Sequence, residues 1–377
     1  MVADAPELAD IIGRFAIDGV LTDAAPLGHG HIHDSYVLRF DSADGARRYV
    51  LQHINQHVFR DPAAVMENVS RVTRHLRSKL PAHPAARVER RCLALVPSLA
   101  GLPFARDARG GWWRVYDYIE DSVTHQSIGN VEQARSAARA YGAFQRALHD
   151  LPAPRLTETI PDFHVTPRRL EQLEQAIAQD AHGRVARARA EIAVARSRRS
   201  LADTLLALHR AGALPERIAH NDTKLNNVLF DAHSDEALCV VDLDTVMPGL
   251  APYDFGDLVR SCALTREDRP EGSGIDLDLD LFESLLRGYL EGTGDMLTHV
   301  ERTVLPIACQ LIAYELGIRF LTDYLQGDSY FKTEHADHNL ERARTQLALV
   351  DAMQRKETAM QRLVESLSSE HDSLQPR

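Results

Sequence analysis

The hydrophobic period changes once along this chain, and that change limits the fold more than any other feature. In the first third, apolar and polar residues alternate with the period of a half-buried strand, over Ser35 to Phe40 (SYVLRF) and Arg48 to Ile54 (RYVLQHI). Between them lies DSADGA, where Asp44-Gly45 supplies the positive φ of a tight hairpin turn. Asp61-Pro62 then forms an N-cap and first-turn pair for a helix whose Val65, Val69, Val72 and Leu76 recur at helical spacing. Further strands are expected over Arg91–Pro97 and Trp112–Tyr118. From about residue 130 the period is helical, over Val131–His149, Thr166–Ala178 and one long Ala/Arg-rich helix, Arg184–Arg210, whose arginines form a solvated face. Two short strands, Asn227–Phe230 and Leu238–Val241, flank the turn HSDE; helices resume at Leu277 and end in an amphipathic stretch over 340–368. The fold class expected is α+β. A small β-rich lobe spans residues 1–118, a larger helical lobe spans 119–377, and the joint lies near Asp117–Ser122.

Composition excludes several roles. The 377 residues suffice for one two-lobed enzyme, and 44 % hydrophobic with 26 % charged residues is ordinary for a globular chain. A formal net charge of −11 repels phosphate backbones, so nucleic acid is not an expected partner. Cys92, Cys239, Cys262 and Cys309 are far apart and form no CxxC pair, so neither a zinc knuckle nor a disulfide framework is expected. Acids stand in MVADAPELADIIGRF where a signal peptide carries Lys or Arg, and no apolar run is read as reaching membrane-spanning length. The expectation is a cytoplasmic protein with no membrane partner.

Chemistry concentrates in HNDTKLNNVLFD (residues 220–231) and the later VVDLDT. Asp222 lies in a loop that runs into a strand, a rigid base for a catalytic side chain. Strand alternation would place Asp242 and Asp244 on one face. Two such carboxylates repel unless a cation lies between them, and with Asn227 they offer the oxygen ligands that Mg²⁺ prefers. A cation-bridged phosphate beside a free carboxylate base is the layout of phosphoryl transfer. Taken singly, each acid reads better as a turn cap or an exposed strand end; the combination H-x-D-x-x-x-x-N, apolar run, D-x-D favours the catalytic reading.

HNDTKLNN followed by VVDLDT resembles the catalytic and metal motifs of the aminoglycoside phosphotransferase and choline kinase group, whose fold is protein-kinase-like. LGHGHIHDSYVL, VVDLDTVMPGLAPYDFGDLVR and YELGIRFLTDYLQGDSYFK extend the likeness from residue 27 to residue 332 and are similar to the N-acetylhexosamine 1-kinases of that group. The resemblance implies ATP and Mg²⁺ as cofactors and a small sugar as substrate. Asp222 becomes the base for the sugar hydroxyl, with Lys224 a cation near the transferring phosphate. Asn227 and Asp242 become metal ligands, and Asp244 a supporting or second-metal carboxylate. Gly28, His29 and Gly30 form a nucleotide loop, of which a lone GxG is weak evidence. His29, His31 and His33 alternate without a neighbouring Cys or carboxylate cluster and read as polar loop residues. Tyr116, Asp117, Tyr118 and Ile119 become the hinge that receives adenine.

One departure stands out. The strand position where protein kinases hold the α- and β-phosphates with a lysine carries Gln52, and Glu67, the usual partner of that lysine, has only Gln52 to meet. Asp257 and Arg260 in YDFGDLVR read as structural. Arg319 and Tyr330 are implied to contact the hexosamine, the alternative being an Arg319–Asp323 pair that braces the helix. The second acceptor reading is an amino sugar, an aminoglycoside or choline. The stretch Ile160–His164 (IPDFH) receives no role, and a monomer or weak homodimer is expected.

Overall fold

A computed structural model describes residues 5–28, 32–80, 88–263 and 274–374; His29, Gly30 and His31 lie outside them. The N-terminal part contains α1 (Ala5–Ile12), β1 (Val20–Pro26), β2 (Asp34–Ser42), β3 (Gly45–His53), α2 (Pro62–Lys79), α3 (Val88–Arg91), β4 (Leu95–Val96), β5 (Ala105–Arg106) and β6 (Trp112–Asp117). The strands form one antiparallel sheet in the order β1-β2-β3-β6-β4, with β5 on β6. The hairpin closes where expected: Ser42 pairs with Gly45, whose φ is +107°. Asp61 caps α2 by accepting the Ala64 N–H at 3.1 Å. The register sets Gln52 opposite Ser35 on one side and Arg114 on the other.

One local expectation fails here, and two elements appear that the sequence reading does not contain. The strand expected over Arg91–Pro97 shrinks to β4, because the preceding residues wind into α3. There the Arg90 guanidinium reaches the carbonyls of Glu120 and Asp121 at the joint. β1 and α1 were not expected. β1 is an edge strand with no buried residue, so it shows little alternation, and α1 adds Leu8, Ile11 and Ile12 to the sheet's core.

The C-terminal part contains β7 (Ser122–Val123), α4 (Val131–Leu148), α5 (Thr166–Gln179), α6 (Arg189–Ser197), α7 (Thr204–Arg210), β8 (Arg217–Ala219), β9 (Val228–Asp231), β10 (Ala237–Val240), β11 (Met247–Gly249), α8 (Ala251–Ala263), α9 (Leu279–Thr293), α10 (His299–Thr303), α11 (Leu305–Leu325) and α12 (His338–Leu374). The single helix expected over Arg184–Arg210 is instead α6, a 3₁₀ turn (Arg199–Asp203) and α7. Its apolar period slips after Ala195: Arg198 and Arg199 occupy the next inward positions, and the tighter turn brings Leu201 and Ala202 back to the core. Helix α11 corrects the reading of apolar runs, since it is long and apolar enough to cross a membrane; its most apolar window is 83 % buried inside the fold, as in a core helix.

Two hydrophobic cores result. The smaller holds α1 and one face of the sheet, including Tyr36, Leu38, Leu51, Trp113 and Val115. The larger is built by the helical part and also takes Val65, Met66, Val69 and Val72 of α2.

Candidate active site

Strand β8 delivers His220, Asn221 and Asp222 into a turn tied down from several sides. Asp254, in the first turn of α8, accepts the backbone N–H groups of His220 at 2.8 Å and Asn221 at 2.7 Å. Asn221 has a left-handed backbone (φ +64°), which asparagine tolerates better than most residues. Its Nδ2 donates to the Thr245 carbonyl at 2.9 Å and the Ala219 carbonyl at 3.1 Å. Gly249 leaves room for it: a Cβ there would lie 2.7 Å from Asn221 Oδ1. His220 links this turn to the second motif. Its Nδ1 faces the Asp222 N–H at 3.3 Å and its Nε2 the Val241 carbonyl at 2.9 Å, so Nδ1 accepts and Nε2–H donates.

Asp222 is thereby presented with its carboxylate 3.0 Å from Lys224 Nζ and 3.2 Å from Asn227 Nδ2. Burial disfavours its charge, but Lys224, His220 and Arg260 outweigh that and hold the carboxyl below the usual range. It is ionised at neutral pH. The Asn227 amide also donates to the Asp222 carbonyl at 2.9 Å, which leaves its Oδ1 as the atom for a cation.

The second motif departs from strand geometry. β10 ends at Val240, and Leu243–Thr245 is a 3₁₀ turn entered through Asp242 at φ +60°. A turn, not pleat alternation, sets Asp242 and Asp244 near each other. The Val241 N–H donates to the Asn227 carbonyl at 2.9 Å, which lays Asp242 beside Asn227. The two acids have different surroundings. Asp242 is half-buried and close to Asp244 and Asp222; burial and these like charges raise its pKa. Asp244 is buried, and although burial opposes its charge, Arg114 and His33 hold it well below the usual carboxylate range. Arg114 grips both its oxygens, one at 2.8 Å, and His33 Nε2 meets one of them at 2.5 Å. His33 Nδ1 accepts the Asn55 N–H at 3.1 Å, so Nε2–H is the donor to Asp244. His33 is therefore a built element rather than a loose loop residue.

Ligand-capable atoms of His33, Asp242 and Asp244 lie within 4.8 Å of one another. With His33 Nε2 turned into a donor, the donors left for a cation are oxygens, as Mg²⁺ requires. Asp242, destabilised as an anion by its neighbours, is the carboxylate most in need of one. The residues present fit a magnesium ion held by Asn227 and Asp242.

On the side expected to receive nucleotide, Gly28 has φ +60°, and among the described residues no heavy atom lies within 4 Å of where its Cβ would be. Gln52 does not meet Glu67, which is exposed. It donates to Ser35 Oγ at 3.0 Å and accepts Arg114 Nε at 3.0 Å. At the joint, the N–H groups of Asp117 and Tyr118 are taken by the carbonyls of Ala94 and Arg48. Tyr116 is buried beside Arg114, its hydroxyl without a partner among the described residues, and Ile119 is buried as well. From α2, Asn68 donates to the carbonyls of Thr157 and Val246, docking the helix on the segment that carries Asp244.

The expected acceptor residues converge as well. The Arg319 guanidinium lies over three aromatic rings, those of Phe163 (5.3 Å), Phe331 (5.6 Å) and Tyr330 (5.9 Å). Asp323 does not pair with Arg319. It accepts the backbone N–H groups of Ser329, Tyr330 and Phe331 and so shapes the turn that carries Tyr330. The IPDFH stretch supplies Phe163 to this box and His164 to the catalytic turn. His164 Nε2 meets the Asn221 carbonyl at 3.1 Å and Nδ1 meets Glu315 at 2.8 Å. Both partners only accept, so both ring nitrogens donate; burial opposes that charge, but Glu315 outweighs it and raises the His164 pKa. Asp257 and Arg260 form a buried pair at 2.8 Å, in keeping with a structural role.

The sequence profile of the phosphotransferase enzyme family (APH) matches residues 23–293. The chain belongs to that family. Its fold is protein-kinase-like, with an antiparallel sheet in the N-terminal part and a mostly helical C-terminal part. Among solved structures it is similar to a microcompartment-associated aminopropanol kinase, at 16 % identity and TM-score 0.63, covering 95 % of this chain and 99 % of that one. A spectinomycin phosphotransferase matches at 14 % identity and TM-score 0.56, covering 94 % and 100 %. The choline kinase of Cryptosporidium parvum Iowa II matches at 15 % and 0.52, covering 92 % of each chain. At these identities the likeness is one of fold. Arg114, His33, Asn68, Asp254, His164 and Glu315 were not singled out as functional from the sequence.

Proposed function

We propose that this phosphotransferase transfers the γ-phosphate of ATP to the anomeric hydroxyl of an N-acetylhexosamine, N-acetylglucosamine or N-acetylgalactosamine, giving the sugar 1-phosphate. The observation that carries the reading is the convergence of an ionised Asp222, Lys224 and the Asn227–Asp242 pair at one turn. Asp222 accepts the proton of the acceptor hydroxyl and orients it for in-line attack. Lys224 sits where charge develops on the phosphoryl oxygens. A magnesium ion on Asn227 and Asp242, when bound, supplies electrostatic stabilisation of that charge.

The acceptor assignment rests on the Arg319 box. A sugar needs fixed donors and an apolar or aromatic face, and Arg319 with Phe163, Tyr330 and Phe331 offers both. Arg169 is close enough for Arg319 to lower its pKa, second to burial, so two guanidinium groups stand at this wall, with Glu315 and Asp162 also near. Guanidinium donors suit the hydroxyl and acetamide oxygens of a neutral sugar better than the cationic groups of choline or an aminoglycoside. The test is phosphate transfer from ATP to a panel of N-acetylhexosamines, other hexoses, aminoglycosides, choline and aminopropanol, with product NMR locating the phosphate. Turnover confined to the cationic acceptors would overturn the sugar reading. Asp222→Asn is expected to stay folded and lose about 10²–10⁴-fold in kcat; near-normal turnover in that variant would remove the base assignment.

A further inference from the structure

The kinase reading leaves the phosphates without the strand lysine, since position 52 is a neutral amide. The sheet offers a replacement one strand away. Gln52 on β3 and Arg114 on β6 are directly paired residues, so their side chains project from the same face of the sheet. The displacement is one interstrand spacing, about 5 Å, and a guanidinium is a longer and wider group than an ammonium. That face points at the catalytic motif, because Arg114 reaches across to Asp244, 130 residues later in the chain.

Arg114 is 1 % exposed and held in a single orientation. Gln52 Oε1 takes its Nε–H, and Gln52 is itself fixed by Ser35. Asp244 takes one N–H from each terminal nitrogen, and His33 holds Asp244 from the other side. Of the five N–H groups of a guanidinium these bonds use three, and among the described residues the other two have no protein acceptor. Buried donors are normally satisfied, and two spare donors on a preset cation next to Asp242 match the oxygens of a phosphate. In this arrangement Gln52 is no gap in the site. It is the amide that orients the arginine, and a lysine at its place would repel it.

We propose that Arg114 is the phosphate-binding cation of the nucleotide site, supplied from β6 in place of a lysine on β3, with Gln52 and Asp244 as the residues that position it. The inference rests on the kinase reading above and adds a residue to it. A merely structural Arg114 would hold Asp244 and leave the nucleotide's phosphates untouched.

The test is the affinity of the full-length protein for ADP and for adenosine, each measured calorimetrically without metal. The comparison covers wild type, Arg114→Gln, Gln52→Lys and the double variant Arg114→Gln/Gln52→Lys. The expected result is a loss of ADP affinity of about tenfold or more in Arg114→Gln, the worth of one charge-assisted hydrogen bond, with adenosine affinity unchanged. Gln52→Lys alone also weakens ADP, by turning the arginine aside, and the double variant recovers most of the loss by moving the cation back across the strand pair. If Arg114→Gln fails to fold, Arg114→Gln/Asp244→Asn is compared with wild type, since that removes both charges of the buried pair and leaves the net charge of the site unchanged. ADP affinity within about twofold of its reference, or equal losses for ADP and adenosine, would overturn the proposal. A wild type that binds neither ligand would instead remove the kinase reading, and this inference with it.

Discussion

Replacing His164 by leucine should destabilise the protein by about 3–5 kcal/mol, the usual cost of removing one partner from a buried ion pair. The structure gives the reason. Glu315 has 2 % of its side chain exposed, and its two oxygens have one partner each, His164 at 2.8 Å and the Thr166 hydroxyl at 2.6 Å. Leucine at 164 leaves a buried carboxylate with a single neutral donor and strips the Asn221 carbonyl of its partner. The double variant His164→Leu/Glu315→Leu removes both charges and should recover most of the loss, leaving about 2 kcal/mol for the unpaired Asn221 and Thr166 groups. Urea denaturation of the four proteins closes the cycle. The pair also predicts a pH dependence of defined sign. The His164 pKa is raised in the folded state, so its contribution is complete below about 6.5, its unfolded value, and is lost as pH rises through the folded value. The stability gap between wild type and His164→Leu should therefore narrow on the alkaline side. Kinetics separate bracing from positioning: because His164 anchors the residue before Asp222, kcat should stay low in the double variant even where stability returns. Single variants that each cost under about 1 kcal/mol, with no coupling, would refute the charged-pair account.

Gly249→Ala should lower kcat and destabilise by about 1–3 kcal/mol, because its Cβ would press on Asn221 Oδ1 and shift the left-handed turn; kinetics and urea melts check both. Asp254→Ala should cost about 3 kcal/mol by unpairing the buried N–H groups of His220 and Asn221, read from chemical denaturation. Arg319→Ala should raise KM for the acceptor at least tenfold and leave KM for ATP unchanged, because its ring contacts lie on the wall proposed to receive the acceptor. Equal changes in both constants would mean that the box braces the fold instead.

What the sequence discloses is what depends on near neighbours. The Ser42–Gly45 hairpin, the Asp61 cap and the period of α2 are local, and each can be read from a handful of residues. Asp222, Lys224 and Asn227 are likewise set by one short turn. The rest depends on distant partners. An arginine within WWRVYD reads as an outward-facing charge until Asp244 is brought to it. His164 acquires a role only when α11 places Glu315 beside it, 151 residues later. The break in the Arg184–Arg210 helix is local by contrast: the slip of the apolar period after Ala195 is there to be read in the segment itself. Asp242 and Asp244 do meet, but through a left-handed residue that strand alternation cannot anticipate.

The division of the hydrophobic cores bears on how nucleotide enters and leaves. Helix α2 is contiguous with the sheet in sequence, yet Val65, Met66, Val69 and Val72 are buried with the helical part, and Asn68 fastens it there through Thr157 and Val246. Tyr116 on β6 and Ile54, just after β3, are buried in that same larger core, so the sheet cannot tilt away from α2 without opening it. The grip of His33 and Arg114 on Asp244 spans the seam between the sheet and the helical part, so the cleft cannot gape without parting a buried charge pair. ADP departure would then be gated by the same carboxylate that orders the site for catalysis.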